Sequence, residues 1–373
     1  MMKVLFIHNT IPEYRLEFFR LLARKVDLHI LVTDKELANA VYGLFVGDIG
    51  NLNISYINSC SKIGSVINKG KYDMVILPPI DCIYQWICAF NAYNACRRCG
   101  INLVYWSEKW EAEKSFQPFS KQLKNYIHAK MIGYFAKRVS LCIAAGSKSK
   151  EYLLKRVGIE ASRISIAYDS STSPIQDNHL DIRKGLGLPA ESKIILYLGR
   201  IIERKGLKNL IYSVEEILSD MPDVYLLVGG TGEDIEKYKR IARKIDRERI
   251  VFMGKIAPGD RACFYKQADV FVLPSYSYKG IIEAWGLTVN EALEQGTPVI
   301  ATSAVGAAYD LNDGKCCIKV PENNVMELVK AIKSVLNNTN NRELCRDLYS
   351  KFSVGNMANQ FFQALSKYKN LYL

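Results

Sequence analysis

The chain reads as an α/β protein of two doubly wound, Rossmann-like parallel-sheet domains, and three features of the sequence predict it. Short apolar, β-branched runs recur along both halves with helix-period patterns between them. A polar stretch broken by Pro and Gly, from Asp169-Ser170-Ser171-Thr172-Ser173-Pro174 to Gly185-Leu186-Gly187-Leu188-Pro189, separates the halves. At 373 residues the chain exceeds one ordinary core and suits two domains of roughly 150 to 200 residues. The expected organisation is an amino-terminal domain over 1–168, a linker over 169–190 and a second domain over 191–352. A terminal segment over 353–373, rich in aromatics, is expected to pack back on the first domain.

In the first half the strand-like runs are Val4 to Ile7, Leu28 to Val32, Met74 to Leu77, Leu103 to Trp106, Leu141 to Ala144 and Ile164 to Ala167. In the second they are Ile194 to Leu198, Val224 to Val228, Ile250 to Met253, Val270 to Leu273 and Val299 to Ala301. Helices are predicted over Leu207 to Leu218, Asp234 to Ile245 and from Val289, and beyond Pro321 the chain is helical almost to its end. Strands joined by helical crossovers run parallel and are covered on both faces.

A composition of 49% hydrophobic and 24% charged residues, without low-complexity tracts, is that of a packed globular protein. The longest apolar stretch, Met74 to Phe90, is broken by Pro78, Pro79 and Asp81, so no run approaches the ~20 residues that span a bilayer. Apolar character ends at His8, so the first residues read as a buried strand rather than an export signal, and a cytoplasmic location is expected. The ten cysteines lack framework spacing and are expected to be reduced; Cys96-Arg97-Arg98-Cys99 reads as a helix end. His8, His29, His128 and His179 are too dispersed for a metal site, and no metal is expected.

The formal charge of +12 is uneven: residues 62–150 carry 14 Lys and Arg against 5 Asp and Glu. Such an excess suits nucleic acid, an anionic membrane or a phosphorylated substrate. No nucleic-acid recognition motif accompanies it, so nucleic acid is not expected as a partner. The segment Pro118 to Val139 is a basic helix with aromatics. It suits either an anionic membrane surface, which would make the protein peripheral on the inner face of the cell membrane, or a core-facing position with a solvated lysine face.

Ligands in open parallel sheets bind at the carboxyl ends of strands. After Ile194 to Leu198 comes Gly199-Arg200-Ile201-Ile202-Glu203-Arg204-Lys205-Gly206, which sets two cations, Arg200 and Lys205, at a strand end and a helix start. That arrangement fits a diphosphate, and equally a solvated basic turn. Glu283-Ala284-Trp285-Gly286-Leu287-Thr288-Val289-Asn290-Glu291 places two carboxylates seven residues apart around a helix start. Carboxylates and free amides together suit the hydroxyls of a sugar and a ribose. Read alone, Glu291 is also an ordinary first-turn residue and Glu283 an exposed loop charge.

These segments, with Val228-Gly229-Gly230-Thr231-Gly232 and Ala268-Asp269-Val270-Phe271-Val272-Leu273-Pro274-Ser275 in the same order, resemble the donor-binding half of family 4 of the retaining nucleotide-sugar glycosyltransferases. The resemblance covers roughly residues 192–320 and implies the GT-B fold, two Rossmann-like domains facing a cleft. It implies that Arg200 and Lys205 neutralise the donor diphosphate next to Gly199, and that Glu283 contacts the transferred sugar. Glu291 would hold the ribose, the loop Ala284, Trp285, Gly286, Leu287 and Thr288 would meet sugar and phosphates, and the base would lie near Gly254 and Lys255. The catalytic assignment falls on Arg200, Lys205 and Glu283.

In the first half, His8-Asn9-Thr10-Ile11-Pro12-Glu13-Tyr14-Arg15 is similar to a first-loop pattern of some members, without its glycine-rich version. Where many members carry a cleft histidine, Leu103-Val104-Tyr105-Trp106-Ser107-Glu108-Lys109-Trp110 has none, and Ser107 or Glu108 takes that place. His8, Tyr14, Arg15, Ser107 and Glu108 are thus the acceptor-side candidates. Trp106 and Trp110 suit packing or acceptor stacking. The resemblance implies transfer from a UDP- or GDP-type sugar, without metal or other cofactor, to a glycan or polyprenyl-linked sugar in surface polysaccharide biosynthesis. A sugar-nucleotide epimerase and a catalytically silent donor-binding subunit are the competing readings.

Overall fold

The computed structural model describes residues 1–33, 50–173, 180–338 and 342–369; His179 and part of the expected linker, 174–179, lie outside the described residues. The chain divides into two compact units. The first comprises Met1–Trp110, Phe119–Asp169 and Val354–Leu373, and the second Glu111–Pro118 and Ser170–Ser353.

The first unit holds seven strands: β1 (Lys3–His8), β2 (Asp27–Val32), β3 (Asn53–Tyr56), β4 (Met74–Ile76), β5 (Asn102–Ser107), β6 (Leu141–Ala144) and β7 (Ile164–Ile166). They pair in the order β3-β2-β1-β4-β5-β6-β7, all parallel. The four inner residues of β1 and all of β4 are buried, which is why Val4 to Ile7 and Met74 to Ile76 read as unbroken apolar runs in the sequence. An aromatic cluster fills one face: Phe6 of β1 lies edge-on to Phe19 (5.1 Å) and Trp106 (5.8 Å), and Phe18 edge-on to Phe361 (5.2 Å). Phe361 comes from the helix Val354–Lys369, so the last described helix belongs to this core, with Met357 and Leu365 buried beside it.

The second unit holds β8 (Lys193–Leu198), β9 (Val224–Gly229), β10 (Ile250–Gly254), β11 (Val270–Leu273), β12 (Val299–Thr302) and β13 (Cys317–Val320), in the parallel order β10-β9-β8-β11-β12-β13. The helix Leu207–Leu218 covers this sheet with Leu207, Leu210, Ile211, Val214 and Ile217, the i, i+3, i+4, i+7, i+10 spacing of a single face. Both sheets are doubly wound and parallel, as the sequence predicted. In each the strand order reverses next to the first strand, between β1 and β4 and between β8 and β11, and in open parallel sheets such switch points are where ligands bind.

At the second switch point the loops after β8 and β11 run in contact. Gly206 has φ 72°, and a Cβ there would stand 1.9 Å from the Pro274 carbonyl oxygen. Gly254, at the end of β10, has φ 71° but open space where a Cβ would go. Replacing Gly254 by Ala should therefore cost only the left-handed backbone penalty, ~1–2 kcal/mol, in urea unfolding. Gly206→Ala should cost about 3 kcal/mol or more, because two backbone segments must part. Equal costs would mean that the two loops do not touch.

Candidate active site

Glu283 sits in the loop after β11 and is fixed by its backbone. Its N–H donates to the Ala304 carbonyl (3.0 Å), its carbonyl accepts from Gly306 N–H (3.2 Å), and Trp285 carbonyl accepts from Ala307 N–H (2.9 Å). The side chain thereby meets the loop after β8: Lys205 Nζ donates to Glu283 Oε2 at 2.5 Å and Arg204 Nη1 to the same oxygen at 3.0 Å. All three side chains are largely buried, between 12% and 17% exposed. Burial opposes ionisation of Glu283, but Lys205 and Arg204 outweigh it and hold the carboxyl below its ordinary value. Burial also lowers Lys205, against the pull of Glu283.

Arg200, in the same β8 loop, is exposed, and the turn that carries it is anchored by the buried Tyr197, whose hydroxyl donates to the Arg200 carbonyl (2.8 Å). Gly199 ends β8, and its N–H donates to the Gly229 carbonyl (3.0 Å). The helix Leu287–Glu294 begins after Gly286, one turn from Glu283, so the Leu287 and Thr288 amides have no intrahelical acceptor and present partial positive charge. Ala284 is exposed, while Trp285 is buried with its Nε1 donating to Asn290 Oδ1 (2.8 Å). Lys255 is exposed beyond β10.

Glu291 lies on that helix but is only 5% exposed. Tyr265 hydroxyl donates to its Oε2 (2.9 Å) and Ser171 hydroxyl to its Oε1 (3.4 Å). Burial raises its pKa, with Arg261 and the Tyr265 bond opposing. The structure thus brings Glu283 and Lys205 together and gives Glu291 different partners, Tyr265 and Ser171. Arg204 was not singled out by sequence reasoning, although it adjoins Lys205 and shares its carboxylate. Tyr265 and Ser171 carried no sequence signal, because their relation to Glu291 is purely tertiary.

In the first unit the candidates gather at the carboxyl ends of β1 and β5. Arg15 is 3% exposed. Its guanidinium donates through Nη1 and Nη2 to both oxygens of the buried Asp169, through Nη2 to Glu108 Oε1 (2.7 Å), and lies 4.9 Å from the Trp106 ring centroid. Tyr14 is 38% exposed, its ring 5.3 Å from the same guanidinium. Ser107 is buried, its hydroxyl accepting from Lys109 N–H (3.3 Å) and its carbonyl from Ser149 hydroxyl (2.6 Å). Glu108 keeps 40% of its side chain exposed; desolvation pushes its pKa up to about 7, Arg15 pulling it down and the Asp169 and Asp81 carboxylates adding to the rise.

His8 ends β1 with Nδ1 2.5 Å from the Thr10 carbonyl, to which it donates, leaving Nε2 as the acceptor. Burial, and then Arg15, lower its pKa to about 4. Asp169, read in the sequence as the first linker residue, is the partner that fixes Arg15. Among the described residues no group of three or more His, Cys, Asp or Glu could hold a metal ion.

Residues 178–351 match the family model described as Glycosyl transferases group 1. The second unit is a group 1 glycosyltransferase domain. An uncharacterized glycosyltransferase of Methanocaldococcus jannaschii is 25% identical over 316 residues, 80% of this chain and 76% of that protein. An alpha-monoglucosyldiacylglycerol synthase of Streptococcus pneumoniae is 35% identical over 127 residues, 34% of this chain and 28% of that protein. Among solved structures, Anabaena HepE in complex with UDP superposes with a TM-score of 0.74 at 18% identity, covering 98% of this chain and 100% of that one. The two units have the GT-B fold, and the glycosyltransferase domain contributes the β8 and β11 loops described above.

Two predictions follow from the first unit. Arg15→Met removes the guanidinium from a buried carboxylate, so it should destabilise the protein by about 3–5 kcal/mol in chemical denaturation, with Arg15→Met/Asp169→Asn recovering much of the loss; an unchanged midpoint for the single variant would dissolve the cluster. His8 stays neutral when folded down to about pH 4, whereas an unfolded histidine takes its proton near ~6.5. The unfolded state binds more protons in that window, so stability should fall as pH drops from about 6.5 to 4. His8→Asn should flatten that part of the Tm-against-pH curve, and an unaltered slope would show that His8 is not the group responsible.

Proposed function

We propose that the chain is a retaining, metal-independent hexosyltransferase. It moves a sugar from a UDP- or GDP-type nucleotide diphosphate donor to a hydroxyl of a glycan or polyprenyl-linked sugar, in surface polysaccharide biosynthesis at the inner face of the cell membrane. The observation that carries this reading is the Glu283 carboxylate held by Lys205 and Arg204 at the β8/β11 switch point, beside a helix start and the exposed Arg200. Cations and free amides suit the diphosphate, and a fixed carboxylate suits sugar hydroxyls. The similarity to Anabaena HepE, solved in complex with UDP, supports a uridine donor.

Cleavage of the bond between the anomeric carbon and the β-phosphate oxygen builds positive charge on the sugar ring and negative charge on the leaving diphosphate. Arg200 and Lys205 stabilise that growing charge more than the ground state, which is catalysis by differential binding. The acceptor oxygen bonds the anomeric carbon on the face the diphosphate leaves, and its proton passes to a leaving phosphate oxygen. No protein nucleophile is needed. Glu283 orients the sugar, and Glu291 Oε1, which accepts a long bond from Ser171, is assigned to the ribose.

Isothermal titration with a panel of UDP- and GDP-sugars in the presence of chelator tests this reading. One donor should bind, Arg200→Ala and Glu291→Ala should each weaken it, and Lys205→Ala should lower kcat by roughly a hundredfold. Absence of binding by the folded protein to every donor would refute the site.

A further inference from the structure

The first unit carries a surface that sugar transfer does not use. The helix Phe119–Ala136 buries Asn125, Ala129, Ile132, Gly133, Phe135 and Ala136 against the body of the unit. Its opposite side remains apolar: Phe119 is 82% exposed, Leu123 51%, Tyr126 49% and Ile127 51%. Their i, i+4, i+7, i+8 spacing makes one continuous ridge. The helix Ile83–Cys99 packs alongside, Trp86 lying against Tyr134 and Phe135, and its first turn adds exposed Ile83 and Ile87. His128 Nε2 donates to the Ile80 carbonyl and so ties the segment before that helix to the helix Phe119–Ala136. Isolated exposed apolar residues are ordinary; a ridge of this size on two neighbouring helices is not.

The helix and the chain that follows it carry one sign of charge, while Asp81 stands exposed two residues before Ile83. Residues 119–150 contain seven Lys or Arg and no Asp or Glu. Beside the ridge opens a pocket of about 300 Å³ lined by Tyr126, Lys130, Tyr134, Lys137, Arg138 and Arg156. The tyrosine faces hold the cations in place: Arg138 lies 4.4 Å from the Tyr134 centroid and Lys130 5.4 Å from that of Tyr126.

We propose that this face docks on an anionic bilayer, with the ridge entering the boundary between headgroups and acyl chains and the pocket taking a lipid phosphate. Apolar area and cationic charge on one face add in binding to such a surface. A second copy of the chain fits poorly, because an isologous contact would set the same cations against one another. The inference rests on the proposed membrane-side acceptor for its purpose, but lipid binding alone reads it out, whether or not the chain transfers sugar.

The test is co-sedimentation of the full chain with vesicles of phosphatidylcholine, with and without phosphatidylglycerol, at low and high salt. Binding should need phosphatidylglycerol and weaken with salt. Phe119→Ser/Leu123→Ser/Ile127→Ser should weaken it by about a hundredfold and Lys130→Glu/Arg138→Glu by about thirtyfold or more, while both variants keep the wild-type unfolding midpoint and UDP-sugar affinity. Equal binding to neutral vesicles, no binding by the wild type, or variants that bind as well as wild type would each overturn the proposal. So would sedimentation velocity showing a wild-type dimer that the serine variant dissolves.

Discussion

The second unit is organised by the bond between Glu283 and the pair Arg204 and Lys205. Charges buried this far are costly unless matched, and here two cations share one carboxylate oxygen across 78 residues of sequence. Only the reversal of strand order between β8 and β11 makes that meeting geometrically available. Several features serve the same contact: Gly206 without a side chain against Pro274, Tyr197 holding the Arg200 turn, and the backbone bonds from Glu283 and Trp285 to residues 304–307. A carboxylate, two cations and the first amides of a helix are thus concentrated at a single switch point.

The first unit solves a similar problem with different chemistry. Its switch-point cation, Arg15, is consumed by Asp169 and Glu108 and covered by Trp106, so it acts as an internal strut rather than a surface charge. What it presents to solvent is Glu108, half-exposed and with a raised pKa, beside a neutral His8. A neutral imidazole and a carboxyl near its midpoint can each accept a hydrogen bond from a hydroxyl at neutral pH. The contrast is local to the strand ends: fixed cations after β8, uncharged or weakly charged hydrogen-bond acceptors after β1 and β5.

Nine of the strands were legible as apolar runs because central parallel strands are buried and leave a continuous signal. The edge strands β7 and β10 were legible because Ile164-Ser165-Ile166 and Ile250-Val251-Phe252-Met253 are rich in apolar and β-branched residues although only half-buried. The two that were not, β3 and β13, lie at sheet edges. Asn53-Ile54-Ser55-Tyr56 is nowhere fully buried, and Cys317-Ile318-Lys319-Val320 exposes Lys319, so neither needs the composition of a core strand. At the site, residues of one loop or one helix start lie together in the sequence, Arg200 with Lys205 and Glu283 with Gly286, but spacing alone left a solvated turn as open as a ligand site. Pairings made by the fold were not legible at all. Nothing in the sequence joins Arg15 to Asp169, 154 positions later, or Glu291 to Tyr265. The helix after Phe119 was ambiguous for a physical reason, since it is apolar on both its buried and its exposed side and periodicity alone cannot separate them.

The reaction proposed for the β8/β11 switch point is transfer of a sugar with its anomeric configuration kept. Proton NMR of the purified chain turning over a UDP-α-sugar with a hydroxyl acceptor addresses it directly, through the anomeric coupling of the first product formed. An α-linked product appearing with stoichiometric UDP is the expected result. A β-linked product, a donor epimerised at the sugar without transfer, or a bound donor that is never consumed would contradict the account.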